Sequence, residues 1–129
     1  MIFNLGGGGG GSGAQTSAID FTNSDYRAAV VEKSPNPSST VTFPTAGTYT
    51  MLKRSTRVRN GNKYDANSNV SASSTNATVT ELSSGLVYTV VTSAANATVT
   101  FTYSSGVNIG DYYHSYIIVG QWADGSAPN

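Results

Sequence analysis

Between Ala97 and Tyr103 apolar and polar residues alternate without a break, with Ala97, Val99, Phe101 and Tyr103 on one phase and Thr98, Thr100 and Thr102 on the other. Successive side chains of a strand point to opposite faces, so this run is a half-buried strand with four apolar groups inward and a threonine stripe outward. Similar runs rich in Val, Thr, Tyr and Ile predict strands over Thr40–Phe43, Gly47–Arg54, Ala77–Leu82, Leu86–Thr92 and Tyr112–Val119, and earlier ones over Ala18–Thr22 and Tyr26–Lys33. From Glu32 to Ser39 two prolines that cannot donate to a ladder mark a loop. Eight candidate strands in about 110 residues, with almost no helix signal, predict an all-β fold, an antiparallel β-sandwich.

Two repeats sharpen the turns. Asn76-Ala-Thr-Val-Thr recurs as Asn96-Ala-Thr-Val-Thr, and Ser83-Ser-Gly85 recurs as Ser104-Ser-Gly106, which reads as a meander of adjacent antiparallel strands. Asn60-Gly61 suits a type I′ hairpin, which needs positive φ at both central positions, and would join Gly47–Arg59 to Asn62–Ala72. Gly6 to Gly13, nearly all glycine, has no side chains to bury and the most backbone entropy to lose, so it reads as a flexible tether. The expected organisation is an apolar tip and glycine-rich arm over 1–16, a sandwich over 17–120 and a polar tail over 121–129.

Composition narrows the function classes. Charged residues are 11% of the chain and the formal net charge is zero, so solubility rests on hydroxyls and amides and no whole-molecule field draws in nucleic acid or an anionic membrane. The absence of cysteine excludes a disulfide framework, thiolate catalysis and sulfur-ligated zinc. The N-terminus shows neither the basic nor the apolar region of a secretory signal, and no apolar run nears the roughly 18 residues a membrane helix needs, so no membrane partner is expected.

No catalytic constellation is legible, and an enzyme is not expected. His114 is the only histidine, and Asp20, Asp25, Glu32, Asp65, Glu81, Asp111 and Asp124 show no paired spacing, so no metal site, cofactor site or catalytic residue is assigned and His114 reads as a strand histidine, buried or half-exposed. Asp65-Ala-Asn67-Ser-Asn69 imitates a calcium loop, but Val70 stands where the sharp turn needs glycine and Asn76 where a bidentate glutamate belongs. Five of the seven basic residues, Lys53, Arg54, Arg57, Arg59 and Lys63, flank the Asn60-Gly61 turn. Arg57 and Arg59 share a strand face and Arg54 points the other way, so a compact positive patch is expected at the hairpin end. Protection of an exposed hairpin from edge pairing, or an acidic partner subunit, outweighs nucleic acid as its use, because no aromatic interleaves the cluster. Tyr112, Tyr113, Tyr116 and Trp122 form a second group, which could serve a subunit contact or, as the alternative, a glycan-stacking platform.

The opening MIFNLGGGGGG resembles the start of small β-rich virion proteins of tailed bacteriophages, and Val41-Thr-Phe-Pro-Thr-Ala-Gly-Thr-Tyr-Thr50 is similar to a strand-turn-strand of bacterial and phage immunoglobulin-like domains. The resemblance implies an immunoglobulin-like sandwich and a structural or accessory role in a phage particle, as capsid decoration, head-fibre or tail component. Its partners would be other virion proteins and copies of itself, and it would be made in the bacterial cytoplasm and end in the virion. On that reading Met1, Ile2, Phe3 and Leu5 dock into a groove or add a strand on a neighbouring subunit, and the glycines span the gap. A carbohydrate-binding or adhesin module using Tyr112, Tyr113, Tyr116 and Trp122 is the alternative.

Overall fold

The computed structural model describes residues 26–34, 38–104 and 111–129. Met1, Ile2, Phe3, Leu5, the glycine run, the candidate strand Ala18–Thr22 and both linker prolines lie outside the described residues. Among the described residues there are nine strands, β1 (Tyr26–Lys33), β2 (Ser38–Phe43), β3 (Gly47–Arg59), β4 (Asn62–Asp65), β5 (Val70–Thr75), β6 (Ala77–Ser83), β7 (Val87–Thr92), β8 (Ala97–Tyr103) and β9 (Tyr112–Gln121). One antiparallel sheet has the order β1-β9-β3-β7-β6, with β4 also paired to β3, and the other has the order β2-β8-β5. The two sheets pack face to face as an all-β sandwich.

Alternation along the strands builds the interior. Val41 and Phe43 from β2 and Val99 and Phe101 from β8 meet Tyr49 and Met51 from β3, Tyr88 and Val90 from β7, and Tyr116 and Ile118 from β9 in one buried cluster. Such a core is the main favourable term in folding, since each fully buried large apolar side chain contributes about 1.5 to 3 kcal/mol. Gly120 lies so close to Tyr49 that a Cβ there would sit 2.5 Å from the tyrosine ring.

The chain crosses between sheets at left-handed asparagines, which tolerate positive φ because a short amide can bond to its own backbone. Asn76 (φ 55°) lies between β5 and β6 and Asn96 (φ 60°) precedes β8. The Asn-Ala-Thr-Val-Thr repeat is therefore a pair of corners that carry the chain in opposite directions, and not a meander: its two strands, β6 and β8, lie in different sheets. Asn60 and Gly61 both have positive φ, as the tight hairpin requires. That hairpin is shorter than its sequence suggests. After Asp65 the chain makes a 3-10 turn over Asn67–Asn69, and β5 joins the opposite sheet.

β9 continues to Gln121, Trp122 joins the core, and the backbone of Asn129 exchanges two hydrogen bonds with Thr42 at 2.7 and 3.0 Å. The sandwich thus extends past the expected boundary at 120, and the tail caps the outer edge of β2.

Candidate functional site

Three places bring chemistry-bearing side chains together. The first lies inside the sandwich. β3 places Lys53 and Ser55 on the same inward phase as Tyr49 and Met51, and β9 places His114 directly opposite Ser55. Lys53 is 2% exposed and Ser55 and His114 are fully buried. The Lys53 ammonium has only donors, so it donates to Ser55 Oγ at 2.7 Å, and the Ser55 hydroxyl donates in turn to His114 Nδ1 at 2.8 Å. Neutral His114 then carries its proton on Nε2, which is buried without a hydrogen-bond partner. The Ser55 amide donates to Asn67 Oδ1 at 2.6 Å and its carbonyl accepts from Ala66 N at 2.9 Å, so the turn after β4 fixes this residue from outside.

Burial sets the protonation of this chain. Desolvation pulls Lys53 down from 10.5 to about 8, against the opposing pull of Asp65 and Glu81. Desolvation, and then the Lys53 charge, pull His114 down from 6.5 to about 4. The Tyr103 ring stacks on His114 with centroids 4.5 Å apart, and the Lys53 ammonium sits 5.5 Å from the Phe101 ring centroid. A serine beside a lysine of lowered pKa is the donor set of a nucleophilic dyad. Here all three groups are sealed between the sheets, so the arrangement works as a hydrogen-bonded polar core.

The second place is the β3–β4 hairpin. Arg54 and Lys63 face one side, lining a concavity of about 460 Å³ with Glu32, Thr56, Val58, Tyr113 and Ser115. Arg57 and Arg59 face the other, lining one of about 320 Å³ with Tyr64, Asp65, Ala66, Asn69 and Tyr112. The expected single positive patch is therefore split between two faces. Arg57 also approaches Asp111 at 3.8 Å and lies 5.7 Å from the Tyr112 ring centroid. Lys53, counted with this cluster in the sequence, belongs to the core instead.

The four C-terminal aromatics do not form one surface. Tyr112, Tyr116 and Trp122 are buried while Tyr113, one residue out of phase, is half-buried on the opposite face. Tyr116 fills the core, and its hydroxyl bonds Ser39 Oγ at 2.8 Å. The even-numbered phase shared by Tyr112, His114, Tyr116, Ile118 and Trp122 is the signal that separates Tyr113 from the rest.

The third place is the outer face of the larger sheet. Direct pairing sets Val30 beside Ile117, Ile117 beside Leu52 and Leu52 beside Val87, a row of apolar side chains across four strands. Val30 is 79%, Ile117 47% and Leu52 41% exposed. The next row along the strands is Ala28, Val119, Thr50 and Thr89, and the row on the other side is Glu32, Ser115 and Arg54.

No protein-family model, curated protein or solved structure matches the chain. Among the described residues no group of three or more His, Cys, Asp or Glu is placed to hold a metal ion, and no helix is long and apolar enough to cross a membrane.

Proposed function

We propose that this protein is a structural or accessory component of a bacteriophage particle, a capsid decoration, head-fibre or tail protein, that acts through surfaces rather than through a reactive centre. The observation that carries the reading is the Val30–Ile117–Leu52–Val87 row. Four apolar side chains side by side on a solvent-facing sheet are the kind of patch that marks a protein-protein contact. The low charge content suits close assembly, and the virion-like MIFNLGGGGGG start supports the class. In this proposal Met1, Ile2, Phe3 and Leu5 anchor the subunit to a neighbouring virion protein across the glycine tether, and the immunoglobulin-like relation of Val41–Thr50 belongs to the same reading.

The test is incorporation. A chain lacking residues 1–13 keeps its circular dichroism spectrum and melting transition but is missing, by mass spectrometry, from particles purified after complementation, where the full chain is found. Equal incorporation of the shortened chain would refute the anchoring role, and absence of the full chain from particles would refute the class.

A further inference from the structure

We infer that the outer face of the larger sheet is a two-fold interface with a second copy of this chain, with β9 lying along the symmetry axis. The inference rests on the structural role proposed above and names the partner that the apolar face takes.

The pattern of that face is self-complementary about β9. Its neighbours are β1 on one side and β3 on the other, and both carry an apolar residue in the central row, Val30 and Leu52, flanking Ile117. In the adjacent row they carry opposite charges, Glu32 on β1 and Arg54 on β3, flanking Ser115. A two-fold axis along β9 exchanges the two flanks. It therefore lays Val30 of one copy on Leu52 of the other, Ile117 on Ile117, Ser115 on Ser115, and Glu32 on Arg54, twice over by symmetry. An isologous contact requires this kind of self-complementarity, in which the same patch serves both subunits. Within the chain Glu32 and Arg54 stand two strands apart, about 10 Å, and neither takes part in an ion pair among the described residues.

The size sets the strength. With the axis along β9 the strands β1, β9 and β3 overlap; three strands about 4.8 Å apart and a ten-residue central strand rising about 3.3 Å per residue give a face of about 480 Å² per partner. That is the size of a weak, reversible contact rather than of a permanent complex. Sheets stacked in an aligned manner cross at about 30°, which keeps Ile117 at the centre and the Glu32–Arg54 pairs within side-chain reach at the rim.

The test uses the full chain in solution. Sedimentation equilibrium at about 100 μM, well above a micromolar Kd, is expected to give twice the 13.4 kDa chain mass. Leu52→Glu and Ile117→Glu are expected to give monomers with an unchanged circular dichroism spectrum, since both side chains are already exposed. Glu32→Arg or Arg54→Glu alone sets like charges against each other and is expected to weaken the dimer by about a hundredfold, while the double variant E32R/R54E restores it. The chain has no cysteine, so Ser115→Cys, on the axis and about 10 Å from its symmetry mate, is expected to be cross-linked to a dimer by a short bis-maleimide, whereas Thr80→Cys, on the edge strand β6, is not. A monomer at all concentrations, a trimer, or failure of the double reversal to restore dimers would overturn the inference. A monomer that still enters particles would leave the structural role standing and remove this interface; a dimer absent from particles would keep the interface and remove the role.

Discussion

Replacing Lys53 by methionine should stabilise this protein at neutral pH. The ammonium is held at the centre of the sandwich, and burial pulls its pKa from 10.5 to about 8. At about 1.4 kcal/mol per tenfold change in proton affinity, keeping the charged form in that place costs about 3 kcal/mol. Part of this is offset by the Phe101 ring and by the bond to Ser55, so Lys53→Met, of similar length and no charge, is expected to gain about 1 to 3 kcal/mol at pH 7. The same shift fixes a pH signature. Between pH 8 and 10.5 the unfolded chain still holds the lysine proton that the folded chain has released, so stability rises with pH across that window. Above pH 10 the sign reverses. Desolvation raises the pKa of Tyr49 and Tyr116 and puts Tyr88 and Tyr103 at about 12, so the unfolded chain loses tyrosine protons first and folding weakens. Stability should therefore peak at about pH 9 to 10. Urea titrations from pH 6 to 11, followed by the fluorescence of the buried Trp122, measure it. A wild-type curve that is flat or falling between pH 8 and 10, or a K53M variant less stable than wild type at pH 7, would refute the reasoning.

The acid side follows from His114. Its pKa of about 4 against 6.5 in the unfolded chain means that stability falls by up to about 3 kcal/mol as pH drops between those values, and His114→Phe should flatten this limb of the urea-titration profile. Gly120→Ala drives a methyl group to 2.5 Å from the Tyr49 ring, which is backed by Phe43 and Trp122, and should cost about 1 to 3 kcal/mol, read as a lower Tm. Asn96→Ala forces an L side chain without a local bond into φ 60° and should cost about 1 to 2 kcal/mol in chemical denaturation, while Asn96→Gly should stay close to wild type.

Strand identity was written plainly in the chain. β1 and β8 match the periodic runs Tyr26–Lys33 and Ala97–Tyr103 end to end, because alternation and turn residues are local signals. The division into sheets was not. Asn76 and Asn96 announce turns, but nothing local distinguishes a hairpin from a corner between layers, and that choice is made by packing. The polar core was hidden for a related reason. Lys53 lies on the inward phase of β3, yet lysine is almost never buried, so its chemistry outvoted its position. Its link to His114 passes through Ser55, 59 positions away along the chain, and only the pairing of β3 with β9 brings them together. Tyr113 and Trp122 show the reverse, since their odd and even phases along and just past β9 already placed them on opposite faces.

The position of β9 bears on how this fold comes into being. The last strand of those described sits in the interior of the larger sheet, between β1 and β3, the first and third. Until residues 112–121 leave the ribosome, β1 has no partner in that sheet among the described residues and β3 has one open edge, each a template for wrong pairing. Folding must then wait for nearly the whole chain and close its most distant contacts last, in a single cooperative step slowed by their separation. Synthesis stalled before β9 should yield aggregated or degraded product rather than a stable sub-domain, and a circular permutant that brings β9 next to β1 should fold faster without any change in the finished sandwich.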